Sequence, residues 1–217
     1  MPIRCRAVSD SQKALRREQI LDAAASMFDS AAYESVLLKD IAQVVGITKA
    51  ALYRYFRSKE ALFLALYQRE LESLLLVVLA VEKDLTTANV EDRLALLYTT
   101  ALVRSPRFCK LAAILHGVLE PSLSYEEAVE FKRYLLQESV KFSTWLAQHF
   151  ELGATDPIKL MAHIQEALIG CWYASNPPQI IHEAIDKNPE LAVFNRSFSE
   201  SLLHHISALV YLEFKGR

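Results

Sequence analysis

The sequence predicts an all-α protein in two parts, a short N-terminal unit built on a helix-turn-helix and a longer helical body, about nine helices in all. Three observations carry this expectation. Five glycines and seven prolines in 217 residues, with 52% apolar residues, leave long unbroken stretches and ample material for a core. Apolar positions in those stretches recur every three or four residues, the period of a one-sided helix. The stretches open on capping residues (Ser, Thr, Asn, Asp) and close on Gly or Pro, which are helix start and stop signals.

Residues 1–13 read as an arm with Arg4, Arg6 and Lys13, either a basic arm reaching DNA or a disordered tail. Helix one follows to about Ser30, with Leu15, Ile20, Ala23, Ala24, Met27 and Phe28 as its buried stripe. Leu38 to Val45 is a short helix with Leu38, Ile41, Ala42 and Val45 inward, and Gly46 supplies the positive φ that ends it. A second short helix runs from Thr48 to Tyr55, capped by Thr48; Ser58 caps a long one that runs to about Lys83. Two short helices about a tight Gly turn form a helix-turn-helix, whose second helix can lie in a DNA major groove. The predicted boundary therefore divides residues 1–57 from 58–217.

In the body, Asn89 caps helix five (Val90 to Arg104) and Ser105-Pro106 breaks it. Helix six spans Arg107 to about Leu119, where Pro121 ends it. Ser124 with Glu127 is a capping box for a helix to about Phe150, and Asp156-Pro157 opens helix eight, which ends before Asn176. A short helix from Gln179 to Lys187 precedes a second capping box, Ser197 with Glu200, and a last helix to about Phe214.

On the second motif helix, Leu52 and Phe56 face inward, leaving Thr48, Lys49, Tyr53 and Arg54 for a partner. Lys49 and Arg54 suit phosphates or guanine edges, and the hydroxyls of Tyr53 and Tyr55 suit phosphate oxygens. Lys59, unfavourable for the dipole in the first turn of its helix, suits an outside group such as a phosphate.

The string IAQVVGITKAALYRYFRSKEALF resembles the DNA-binding signature of the tetracycline-repressor family, IAxxAGVSxGxLYxYFxSKExL. The resemblance covers about the first third of the chain. It departs at Ala32, where the family usually has Gly, and at Leu37, where a Ser or Thr normally caps the first motif helix and touches a phosphate. The resemblance implies a DNA-binding domain followed by a helical ligand-binding and dimerisation domain. With it, DNA contacts are expected at Lys39, Thr48, Lys49, Ala50, Tyr53, Arg54, Tyr55 and Lys59. It further implies a homodimer through the last two long helices, here Asp156–Ser175 and Ser197–Phe214, and a regulator, in most cases a repressor, controlled by a small molecule. A ligand-independent architectural DNA binder and a helix-turn-helix module for protein contacts remain as alternatives.

Charge and composition fit that expectation. Residues 1–60 hold ten Lys and Arg against seven Asp and Glu, and the remainder fourteen against nineteen: a basic head on an acidic body. Cys5, Cys109 and Cys171 are too far apart for a disulfide framework or a CxxC metal pair. The longest apolar run, Leu74 to Val81, is far short of the roughly 20 residues that span a bilayer, and no signal peptide is evident. A cytoplasmic protein is expected, with no cofactor. No phosphate loop, nucleophile elbow or metal set speaks for an enzyme.

Several polar residues fall on apolar stripes: Arg104 beside Leu97 and Ala101, His116 beside Leu115, and Glu138 and His149 beside Phe142 and Trp145. Such groups either pair with one another or reach solvent, or they are the few polar contacts of a pocket between helices. On the second reading, Leu97, Ala101, Arg104, Leu115, His116, Glu138, Phe142 and Trp145 surround an apolar or aromatic effector. His163, His204 and His205 read as packing or interface residues.

Overall fold

A computed structural model describes residues 3–86, 89–153 and 155–215, with the side chains of 3–10 and 215 outside the description. The described residues form ten α-helices and no strand: α1 (Ile3–Ser30), α2 (Leu38–Val45), α3 (Lys49–Leu52), α4 (Lys59–Asp84), α5 (Val90–Val103), α6 (Pro106–Ile114), α7 (Tyr125–His149), α8 (Pro157–Ser175), α9 (Gln179–Lys187) and α10 (Phe198–Lys215). None is long and apolar enough to cross a membrane.

The capping residues place the helix starts. Thr48 Oγ1 accepts from Ala51 N at 3.1 Å, Ser58 Oγ from Ala61 N at 3.0 Å, and Asn89 Oδ1 from Glu91 N at 2.8 Å. Asp156 Oδ1 accepts from Ile158 N, and Ser124 with Glu127 forms the reciprocal capping box of α7. Gly46, at φ 71°, lets Ile47 N donate to Ala42 O at 2.9 Å, which closes α2 and turns the chain into α3.

One continuous apolar core runs from the head into the body, and α4 threads it. Phe63 of α4 is fully buried, with ring centroids 5.2 Å from Phe28 and 4.9 Å from Tyr33, both edge-on. Such T-shaped pairs add stabilisation beyond the area they bury. Further along, α4 packs on α5 and α6, while α10 lies on α5 and α8.

Four expectations are corrected. Regular helix begins at Ile3, so residues expected as an arm belong to α1; Arg4 and Arg6 carry side chains outside the description. Leu15 is 62% exposed, and the true stripe of α1 passes through Leu21 instead. Helix six is regular only to Ile114, then widens into a π-turn (Leu115–Leu119) and a 3-10 turn (Glu120–Ser122) that seats Pro121. The last two long helices, expected at a dimer interface, turn Leu160, Ile164, Leu168 and Cys171 of α8 and Leu202 of α10 into the protomer's own core, so those residues are not available to a partner.

Candidate nucleic-acid interface and effector cavity

In the head, α2 and α3 stand on a floor of Ile41, Leu52 and Phe56, all buried. Lys39, Thr48, Lys49, Ala50, Tyr53 and Arg54 are exposed on their outer side, while Tyr55 and Lys59 are half-buried. Only Lys49–Leu52 is regular helix; Tyr53 to Tyr55 continue as a turn held by Tyr55 N donating to Leu52 O at 2.9 Å. Lys49 Nζ lies 5.8 Å from the Tyr53 ring centroid, so the two extend together. The Thr48 hydroxyl, though it accepts the cap bond, keeps its proton for an outside acceptor.

Lys59 is placed differently from a free phosphate ligand. Its ammonium donates to the carbonyl of Tyr33 and stands 4.0 Å from that ring centroid, and burial pulls its pKa below the usual lysine value. An ammonium has three donors, so two remain for a partner.

A concave surface of about 720 Å3 lies between the N-terminal half of α1 and α3, lined by Lys13, Arg16 and Arg54 with no acidic residue among its described walls. Arg16 donates through Nη1 to Val45 O at 3.1 Å, tying α1 to the end of α2. Sequence reasoning passed over Arg16 because an arginine in the middle of α1 reads as a solvated face. Lys13, read as part of an arm, gains a fixed place beside Arg54. Leu37 occupies the N-cap of α2 with extended backbone and no side-chain cap bond, 43% exposed.

In the body, a cavity of about 270 Å3 opens between α4, α5, α6, α7 and α8. Ala101, Glu138 and Phe142 line it as expected, joined by Tyr67, Leu71, Leu74 and Val78 of α4, Tyr98 of α5, Phe108 of α6, and Ile164 and Gln165 of α8. Leu97 and Leu115 are fully buried behind the wall. Trp145 stacks on Phe142 at 5.6 Å, one ring removed from the space, and His149 stacks on Trp145. Arg104 is exposed and faces a separate cleft with Pro106 and Trp172. His116 pairs with Glu120 at 3.0 Å and meets Gln165 Nε2 at 3.4 Å, outside the lining. Both sit where regular helix stops, Arg104 at the C-cap of α5 and His116 in the π-turn that follows α6.

Tyr98 and Gln165 were missed. Tyr98 is buried, and among the described residues its hydroxyl has no hydrogen-bond partner. Burial keeps that hydroxyl protonated throughout the working range of pH. Its ring meets Phe142 edge-on at 6.0 Å. A tyrosine on the apolar stripe of α5 with Leu94, Ala101 and Leu102 is the signal in the sequence that could have pointed to it.

Of the histidines, His163 lies 3.6 Å from Glu213, and His204 and His205 line a groove between α8 and α10 with Gly170 and Ala174. No group of His, Cys, Asp and Glu with metal-binding geometry occurs among the described residues.

Comparison with known proteins agrees with this architecture. Residues 20–66 match the family described as bacterial regulatory proteins, tetR family, and residues 65–211 match a tetracyclin repressor-like C-terminal domain. An HTH-type transcriptional repressor of Mycobacterium tuberculosis is 37% identical over 65 residues, 30% of this chain and 35% of that one. A nucleoid occlusion factor of Shewanella frigidimarina is 32% identical over 113 residues, 51% of this chain and 55% of its own. The chain thus spans only about a third to a half of these curated relatives. The crystal structure of a protein described as a TetR-family regulator from Mesorhizobium loti superposes with TM-score 0.52 at 20% identity, covering 93% of this chain and 96% of that one. A second, from Rhodococcus, gives 0.53 at 16% identity, covering 92% and 98%. At such identities the likeness is one of fold.

Proposed function

The chain belongs to the tetracycline-repressor family, and on that premise we propose a transcriptional repressor that binds operator DNA as a homodimer and releases it when a small, largely apolar molecule fills the body cavity. The observation that carries this reading is the double role of α4. Its N-cap, Ser58, follows directly on the turn that carries Arg54 and Tyr55, and its residues from Tyr67 to Val78 form one wall of the cavity. At 1.5 Å per residue, Lys59 and Leu71 lie about 18 Å apart on one rigid rod. A ligand that moves the wall moves the head.

The exposed set Lys39, Thr48, Lys49, Ala50, Tyr53 and Arg54, with Tyr55 and Lys59 beneath it, is the proposed DNA surface. Lys49 and Arg54 read bases; the others hold the backbone. Two such surfaces must meet major grooves about 34–36 Å apart, so a dimer is required and its spacing is the switch. The proposed dimer surface is the outer side of α8 and α10, where Gly170 and Ala174 allow close approach and Tyr211 and Leu212 stand exposed.

The alternative is a DNA binder whose affinity answers to no small molecule. A single experiment separates the two. Aromatic compounds are titrated into a Trp172→Phe variant, following Trp145 fluorescence, while fluorescence anisotropy reports binding to a duplex selected from a random library. Compounds that perturb Trp145 should also release the DNA. Bound compounds that leave DNA affinity unchanged would favour the second reading.

A further inference from the structure

We infer that the body cavity selects a small amphiphile with one positive charge, its cation against Glu138. The inference rests on the proposed ligand-binding role of this cavity and adds the chemistry of what enters it.

Charge comes first. Glu138 is the charged residue among the described lining, and no lysine, arginine or histidine stands with it. Its side chain is 15% exposed, and its ion-pair partner Lys141, at 2.6 Å, is 69% exposed and faces solvent. That pair is screened by water and easily exchanged. A ligand cation can take the place of Lys141 at the carboxylate; a ligand anion would be buried next to a like charge with no cation to neutralise it. The rest of the wall reinforces the preference, because Tyr67, Tyr98, Phe108 and Phe142 present aromatic rings, which attract cations and repel anions over their faces.

Size sets the second limit. About 270 Å3 lies just below the range of roughly 300–1,000 Å3 for ligand pockets, so the ligand is small, on the scale of two fused rings rather than a long acyl chain.

A matched trio with one body tests this: 1-naphthylmethylamine (cation), 1-naphthalenemethanol (neutral) and 1-naphthoic acid (anion), each titrated calorimetrically into the full-length protein at pH 7. The amine should bind at least about tenfold tighter than the acid, with the alcohol between them. Glu138→Gln should bring amine and acid to within about threefold while leaving the alcohol within about twofold of its wild-type affinity. The inference is overturned if the acid binds as tightly as the amine, if the amine-to-acid ratio survives Glu138→Gln, or if none of the three binds. Amine binding in the predicted order with unchanged DNA affinity would uphold the charge selectivity and sink ligand control instead.

Discussion

Arg107 grips Asp29 with two hydrogen bonds, 2.8 Å from Nε to Oδ1 and 2.6 Å from Nη2 to Oδ2, fastening the first turn of α6 to the last turn of α1. Its Nη1 reaches Glu70 of α4 at 2.9 Å, and Lys110, one turn on, donates to Ala31 O at 2.8 Å. Between them sits Phe108, a wall of the cavity. Head and cavity are thus joined twice, through the length of α4 and through this clamp.

Removing the clamp should weaken the coupling rather than the binding. Arg107→Ala is expected to cost about 1–2 kcal/mol of stability, a charge-assisted pair discounted for its partial exposure. Ligand affinity of the DNA-free protein should change little, while the drop in DNA affinity caused by ligand should shrink. By linkage, the effect of DNA on ligand affinity must shrink by the same factor. Paired titrations with and without duplex measure both; an undiminished coupling would leave α4 as the sole connection.

The same clamp predicts acid sensitivity. The hydrogen bond from Arg107 holds Asp29 below the usual carboxylate value, so Asp29 binds its proton less readily folded than unfolded. Its contribution is therefore fully present above an unfolded value of about 3.9 and fades as pH falls through the lower folded one. Stability curves of wild type and Asp29→Asn should differ at neutral pH and converge below about pH 4. A constant difference through that window would contradict this account.

Leu37 offers a stabilising change. It fills the N-cap of α2 with the extended backbone a capping hydroxyl needs and no side-chain bond of its own. Leu37→Thr should add about 0.5–2 kcal/mol. Thermal melts check this; a fall in melting temperature would mean that the apolar contacts of Leu37 outweigh the cap.

The dimer surface can be tested without harming the protomer. A Cβ at Gly170 meets nothing within 4 Å, so a larger side chain there has room in the single chain. Gly170→Glu should fold normally by circular dichroism and sediment at half the mass of the wild type at micromolar concentration. A dimer that persists would place the interface elsewhere.

What was legible in the sequence follows the range of the interaction. Thr48, Ser58, Asn89, Ser124 and Asp156 cap their helices through bonds two or three residues away, so their placement could be read locally. The head was legible for the same reason, packed into some forty residues with one Gly turn. Cavity walls depend on which side of each helix meets its neighbours, and there the reading divided: Ala101, Glu138 and Phe142 line the space, Leu97 and Leu115 lie buried behind it, and Arg104, His116 and Trp145 fall outside. The pairing of Arg107 with Asp29 spans 78 residues, and nothing in either local pattern announces it.

The recognition surface is the centre of the account, and one measurement addresses it most directly. Anisotropy titrations compare wild type with the Lys49→Ala, Arg54→Ala double variant on a selected duplex and its scrambled counterpart. The wild type should prefer the selected duplex, and the double variant should lose that preference by roughly 1–3 kcal/mol per residue while keeping salt-dependent binding to both. Equal wild-type affinity for the two duplexes, or full discrimination by the double variant, would contradict the assignment of α3 and its following turn to DNA recognition.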